Sequence, residues 1–236
     1  MAPRPARTAD QVAERLDVIV AAATGVFAEL GYRRTQMSDI ARAAGISSGS
    51  LYNYVQGKEA LFALVLERAL DKEAPPPTDL PVPARSVTGT TMWLRQRLDF
   101  REFPLLRSGS TDIEGVIGEI YDVLASVADA VDVIEASARD VPDLGSVLNA
   151  TRTELLLRLG NVLDAAAAAG VVQGMVDTGT TARLVLEAVN WFARRRVHGS
   201  AVPPYREDVA RETVIRVLSR GLLNESTPAA RTREER

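Results

Sequence analysis

The chain has 236 residues, 46% of them apolar and 25% charged, enough for one medium domain or two small ones with a sizeable core. It holds no cysteine and a single histidine, His198, which excludes disulfide scaffolds, thiolate metal sites, cysteine nucleophiles and multi-histidine metal centres. The net charge of −3 excludes a uniformly basic nucleic-acid coat.

That charge is unevenly spread. Residues 1–58 carry 7 basic and 5 acidic side chains, whereas residues 59–236 carry 21 and 26. A mildly basic end on an acidic body suits an anionic partner at that end. The longest nearly apolar run, Val18 to Ala28, is broken by Thr24 and Gly25. It falls well short of the ~20 residues that cross a membrane. The opening residues Met1 to Arg7 have no apolar stretch of the secretory kind. A soluble cytoplasmic protein without membrane contact is expected.

In chain order, Val12, Leu16, Ile19, Ala23, Val26 and Leu30 fall three or four residues apart. This predicts an amphipathic helix over 10–30, stopped by Gly31 in the position past a helix end. A short helix over about 37–44 follows, stopped by Gly45, and a third runs from Ser48 to about Tyr54. Gly57 breaks it, and Lys58-Glu59-Ala60-Leu61 opens a fourth helix to about Lys72. Pro75-Pro76-Pro77 through Pro83 cannot continue a helix and predicts a linker or long loop. Helical patterns resume over 86–100, 103–108, 112–139, 144–170, 178–199 and 206–223. No stretch alternates with period two, so no sheet is expected. The polar tail 224–236 is expected to fray.

The stretch Ser38-Asp39-Ile40-Ala41-Arg42-Ala43-Ala44-Gly45-Ile46-Ser47-Ser48-Gly49-Ser50-Leu51-Tyr52-Asn53-Tyr54 predicts a helix–turn–helix. Ile40, Ala41 and Ala44 give its first helix an apolar face. Gly45 permits the positive φ of a tight turn. Ile46 plugs the angle between the helices, and Ser47 or Ser48 caps the second. Leu51 points to the core, which leaves Ser48, Gly49, Ser50, Tyr52, Asn53 and Tyr54 outward. None of these is acidic, and such a surface fits a major groove and phosphate oxygens. Lys58, at the start of a helix, opposes the helix dipole, and a phosphate there would reconcile the two.

These residues resemble the DNA-binding domain of the tetracycline-repressor (TetR) family of bacterial transcription regulators. The resemblance rests on Phe27 with Gly31-Tyr32, Thr35, Asp39 to Ser47, Leu51 to Val55 and Lys58-Glu59-Ala60-Leu61. It covers about residues 12–72. Val55 and Ser38 depart from the family's usual phenylalanine and basic residue. The resemblance implies an all-α fold: a basic arm over 1–11, a three-helix helix–turn–helix domain over 12–72 and a helical ligand-binding and dimerisation domain over 73–223. It implies DNA contact by Thr35, Gln36, Met37, Ser38, Ser48, Gly49, Ser50, Tyr52, Asn53, Tyr54 and Lys58, with Arg4 and Arg7 in an arm near an adjacent groove. It further implies a homodimer through helices 178–199 and 206–223, a double-stranded DNA operator and a small-molecule effector.

Apolar residues recur along those last two segments: Ala182, Val185, Leu186, Val189 and Phe192, then Val209, Val217, Leu218 and Leu222. Each stripe is wide enough to serve both a core and an interface. Trp93, Phe100, Phe103, Tyr121 and Trp191 are the candidate pocket residues, weighed against plain core packing. Acidic residues between Asp112 and Asp132 form a solvated face or attract a cationic ligand. Arg194-Arg195-Arg196 reads as surface or interface salt bridges, and His198 as a cation at a helix end.

The function expected is a ligand-responsive homodimeric repressor that leaves a palindromic operator when a small molecule binds. An activator, or a DNA-independent sensor of the same fold, is the alternative. An enzyme is not expected. The chain has no G-x-S-x-G, no phosphate-binding glycine loop followed by lysine, and no second histidine for a helical carboxylate–metal site. No catalytic residue, metal or cofactor is assigned.

Overall fold

The computed structural model describes residues 9–98, 103–173, 175–194 and 206–223. The arm residues Arg4 and Arg7, Phe100, Arg195, Arg196, His198 and the tail lie outside them. Helices α1 (Ala9–Arg34), α2 (Met37–Ala43), α3 (Ser48–Leu51), α4 (Lys58–Leu70) and α5 (Val87–Arg97) come first. Then follow α6 (Pro104–Ser108), α7 (Ile113–Ser126), α8 (Ala128–Ser137), α9 (Pro142–Ala168), α10 (Thr178–Arg194) and α11 (Glu207–Leu222). Among the described residues the extended pairings are isolated bridges, Val55 with Val82 and Val172 with Leu223.

The chain divides into two compact units. The first comprises residues 1–98 and 126–150, the second 99–125 and 151–236. The boundary expected at residue 72 therefore falls inside the first unit.

The core of the first unit follows from the α1 spacing. Leu16, Ile19, Ala23 and Phe27 are buried, and Val12 and Val26 pack against them. Burying the larger of these, Leu16, Ile19 and Phe27, contributes about 1.5–3 kcal/mol each. α4 is buried on nearly every side, from Ala60 through Leu66. Phe62 meets Phe27 edge-on at 5.1 Å between ring centres and Tyr32 at 4.9 Å. Ala130, Val133 and Ile134 of α8 belong to the same core.

The proline-rich segment is a loop fastened to this unit rather than a linker. The Val82 N–H donates to the Tyr54 carbonyl (2.8 Å), and the Gln56 N–H donates to the Val82 carbonyl (3.0 Å). Arg68 donates to the Ala74 carbonyl, and Arg85 pairs with Glu67.

In the second unit, Ile113, Val116, Ile117, Ile120 and Tyr121 of α7 pack with Leu155, Leu159, Val162 and Leu163 of α9. Val185, Leu186 and Val189 of α10 join that core, as do Val214 and Ile215 of α11. The single helix expected over 112–139 is two, because Val127 (φ −102°, ψ 10°) leaves helical geometry. The helices expected at 86–100, 144–170 and 206–223 are each within three residues of those observed at either end.

Candidate nucleic-acid interface

α2, the Gly45 turn and α3 form the candidate site. Gly45 adopts φ +64°, and the Ile46 N–H closes the turn on the Ala41 carbonyl at 2.9 Å. Ile40 and Ala41 are buried beneath α2, and Leu51 and Val55 beneath α3. At the start of α2, the Gln36 N–H donates to the Asp39 carboxylate at 3.1 Å. Ser47, not Ser48, caps α3, accepting the Ser50 N–H on its hydroxyl at 3.1 Å. Ser50 is engaged further, its hydroxyl lying 2.8 Å from that of Ser47.

The recognition helix expected to reach Tyr54 ends at Leu51, and Tyr52 to Tyr54 form a turn. Its exposed surface is Ser48, Gly49, Tyr52 and Asn53. A Cβ at Gly49 would meet nothing within 4 Å, so the bareness there faces outward.

Three expected contacts require correction. Tyr54 is only 3% exposed, against 49% for Tyr52, because it lies three residues past Leu51 and turns inward with Val55. Thr35 is 1% exposed, and its hydroxyl donates to the Gly31 carbonyl at 2.7 Å. Its role is to shape the chain between α1 and α2. Met37 packs partly against the core.

Lys58 is placed differently again. Its ammonium donates to the Thr35 carbonyl (3.0 Å) and the Arg33 carbonyl (3.3 Å), and sits 4.7 Å from the centre of the Tyr32 ring. The cation that opposes the α4 dipole is thus compensated by carbonyls at the end of α1 and by a ring face. No phosphate is needed for that purpose, and one of three N–H donors remains. Tyr32 is itself held as the phenol: burial, then the negative charge and hydrogen bond of Glu59, push its pKa up to about 12.

Sequence reasoning missed two cations on this unit. Arg42, on the outer side of α2, has a side chain 78% exposed and a loose 3.5 Å pair with Asp39. Such a pair is worth about 0–1 kcal/mol and leaves the guanidinium available to an anion. Arg33 is exposed in the last turn of α1. Their signal was position: each flanks the segment that opens or closes α2.

The candidate pocket residues are not one group. Trp93 packs on the core of the first unit, with Arg85 over its ring at 5.8 Å. Phe103 and Tyr121 are both buried in the core of the second. Trp191 is 42% exposed and meets Phe192 edge-on at 4.7 Å. Two acidic residues of α7 have specific partners: Glu119 accepts the N–H groups of Leu105 (2.7 Å) and Leu106 (2.9 Å), and Asp122 holds Arg211 through two bonds of 2.6 and 2.7 Å. These bonds raise the Arg211 pKa further. Among the described residues no cluster of His, Asp or Glu has metal-site geometry, and no helix is long and apolar enough to cross a membrane.

Residues 19–65 match the family described as bacterial regulatory proteins, tetR family. The transcriptional repressor KstR2 of Rhodococcus jostii is 44% identical over 72 residues, which cover 30% of this chain and 35% of that protein. The chain thus matches its curated relatives over about a third of their length. Similarity of fold extends much further. The structure of SCO3833, a TetR-family member from Streptomyces coelicolor, superposes with a TM-score of 0.54 at 25% identity, covering 87% of this chain and 91% of that one. The ketosteroid regulator KstR2 of Mycobacterium tuberculosis shares the fold at a TM-score of 0.54 and 19% identity, covering 90% and 96%. Residues 19–65 thus carry a helix–turn–helix that matches the tetR family model, and the described residues share their helical fold with TetR-family structures.

Proposed function

We propose that the chain is a homodimeric, ligand-responsive transcriptional repressor that reads a near-palindromic operator. The observation that carries this reading is the exposed tip Ser48-Gly49-Tyr52-Asn53, uncharged and held by a fully buried Leu51 and Val55. Asparagine and small or aromatic side chains suit base edges and thymine methyls, while the cations lie to the side where phosphates would run. Tyr52 and Asn53 are assigned to the groove, Gln36, Ser38 and Ser48 to its edges, and Arg33, Arg42 and the remaining Lys58 donor to phosphate.

Dimerisation is assigned to the outward sides of α10 and α11. Their inward residues are spent on the core of the second unit, yet Leu184 (64% exposed), Trp191, Val209 and Val217 (64% exposed) remain on the surface. Leu184, Ala188 and Trp191 recur at helical spacing, as do Val209, Thr213 and Val217. Two helices from each subunit would bury these stripes and set two reading heads ~34–36 Å apart, one turn of DNA. A small molecule bound in the second unit would favour a dimer with another spacing and so release the operator.

The test is selection of a duplex from a random-sequence pool, followed by titration in moderate salt. The reading requires a two-fold symmetric site bound by two chains at least a thousandfold more tightly than mixed-sequence DNA. Equal affinity for all duplexes refutes it.

A further inference from the structure

The end of α1 is pressed against the end of α8. Gly31 leaves helical geometry at φ +74° and ψ 172°, and a Cβ there would lie 2.4 Å from the Ala136 carbonyl oxygen. One residue on, the Tyr32 N–H donates to the Ser137 hydroxyl at 3.0 Å. Ser137 is completely buried. α8 itself is anchored, since Ala130, Val133 and Ile134 are buried in the core that holds α1.

From this contact the chain reaches the helix–turn–helix in a few residues, every one of them tied. The Tyr32 ring packs on Phe62 and lies under the Lys58 ammonium, which binds the carbonyls of Arg33 and Thr35. The Thr35 hydroxyl returns to the Gly31 carbonyl. Gln36 then caps α2. There is no slack between Ser137 and the first residue of α2 that would let one move without the other.

We propose that Ser137 is a positioning residue for DNA reading: by holding the Tyr32 amide it fixes where α1 ends and hence where α2 and α3 point. This deepens the operator-reading function and rests on it. Ser137 acts through Tyr32 and touches no DNA in this scheme. Deleting its hydroxyl removes the acceptor of a half-buried N–H without altering the exposed tip, and the angle of α2 against α1 loosens.

The test uses the full chain and the variant Ser137→Ala. Two probes are titrated: the duplex selected with the wild-type chain, and poly(dI-dC) as non-specific DNA. Hydrogen exchange is followed on both proteins without DNA. The expected result is about a tenfold weaker hold on the selected duplex, unchanged binding to poly(dI-dC), and faster exchange at Tyr32 and over residues 37–51 while residues 178–194 and 207–222 keep their protection. Unchanged affinity for the selected duplex overturns the proposal. So does a parallel loss on both probes with uniformly faster exchange, which is the mark of a merely structural serine. If the wild-type chain selects no duplex, the operator reading fails by itself. The exchange pattern then decides the mechanical claim, and unchanged protection over 37–51 overturns it.

Discussion

Two glycines of α1, six residues apart, respond oppositely to the same substitution. At Gly31 an alanine must adopt φ +74° with ψ 172°, a region all but reserved to glycine, at a cost of about 1–3 kcal/mol. Its Cβ would also sit 2.4 Å from the Ala136 oxygen and 3.1 Å from the Ala136 carbonyl carbon. These are backbone atoms that cannot swing aside, so the end of α1 must lift from α8. That movement gives up the hydrogen bond between Tyr32 and Ser137, worth about 0.5–1.5 kcal/mol. Gly31→Ala is therefore expected to destabilise the first unit by about 1.5–4.5 kcal/mol.

At Gly25 an added Cβ meets nothing within 4 Å, and the residue is an exposed interior position of a helix. Gly25→Ala removes only unfolded-chain freedom and stabilises by about 0.5–1 kcal/mol. Urea unfolding measures both. The chain has two tryptophans, Trp93 in the first unit and Trp191 in the second. A Trp191→Phe background therefore lets Trp93 fluorescence report the first unit alone. With slopes of about 1–3 kcal/mol per molar urea, the two variants should unfold roughly 1 M or more apart. Coincident midpoints for Gly31→Ala and the wild type would refute the close approach of α1 to α8. A lower midpoint for Gly25→Ala would refute the open environment assigned to it.

Tyr52→Ala should weaken binding of the selected duplex at least tenfold in an anisotropy titration with an unchanged melting temperature, whereas Tyr54→Ala should cost about 3–5 kcal/mol of stability because it empties a buried site. A Tyr52 variant that melts early makes that residue structural. Tyr32, with its pKa pushed up to about 12, keeps its proton in the folded chain above the range where the unfolded chain loses it. The stability this contributes is full below about pH 10 and lost as pH rises from 10 to 12. The stability difference between wild type and Tyr32→Phe should accordingly shrink across that window, and absorbance at 295 nm should show one phenol titrating late. The double variant Leu184→Glu, Val217→Glu should sediment as a monomer with native helix content. A persistent dimer removes α10 and α11 as the interface.

Periodicity made much of this fold legible. The apolar positions of α1 recur with a spacing that only a helix satisfies, and Leu16, Ile19, Ala23 and Phe27 are indeed buried. Gly31 marked the kink in α1 and Gly45 the end of α2, because backbone conformation is a local property, whereas Gly57 precedes α4 and α3 ends earlier, at Leu51. The break at Val127 had no such mark, since Ser126-Val127-Ala128 contains neither glycine nor proline. Tyr54 was misjudged although the signal existed: a residue three beyond a core leucine shares its face. Lys58 and Ser137 were beyond reach because their partners are 23 and 105 residues away in the chain. Charge opposite a helix dipole showed that Lys58 needed a counterpart but not that Thr35 and Arg33 supply it. That Trp93 packs on a different core from Phe103 and Tyr121 was out of reach for a related reason. Composition says a ring is present, whereas only topology decides which core receives it.

The discontinuity of the first unit bears on how the protein is made. Its core is assembled from residues 1–98 and 126–150, so α1 and α4, which support α2 and α3, cannot complete their packing until the ribosome has passed residue 150. At about 5–20 residues per second, residues 99–150 occupy roughly 3–10 s. Throughout that interval the side of α1 that meets α8 awaits its cover. A nascent chain cut short before α8 would present the complete family signature to a sequence search and an unfinished reader to DNA. For the same reason, residues 12–72 lifted onto another protein would carry the motif without the support that orients it.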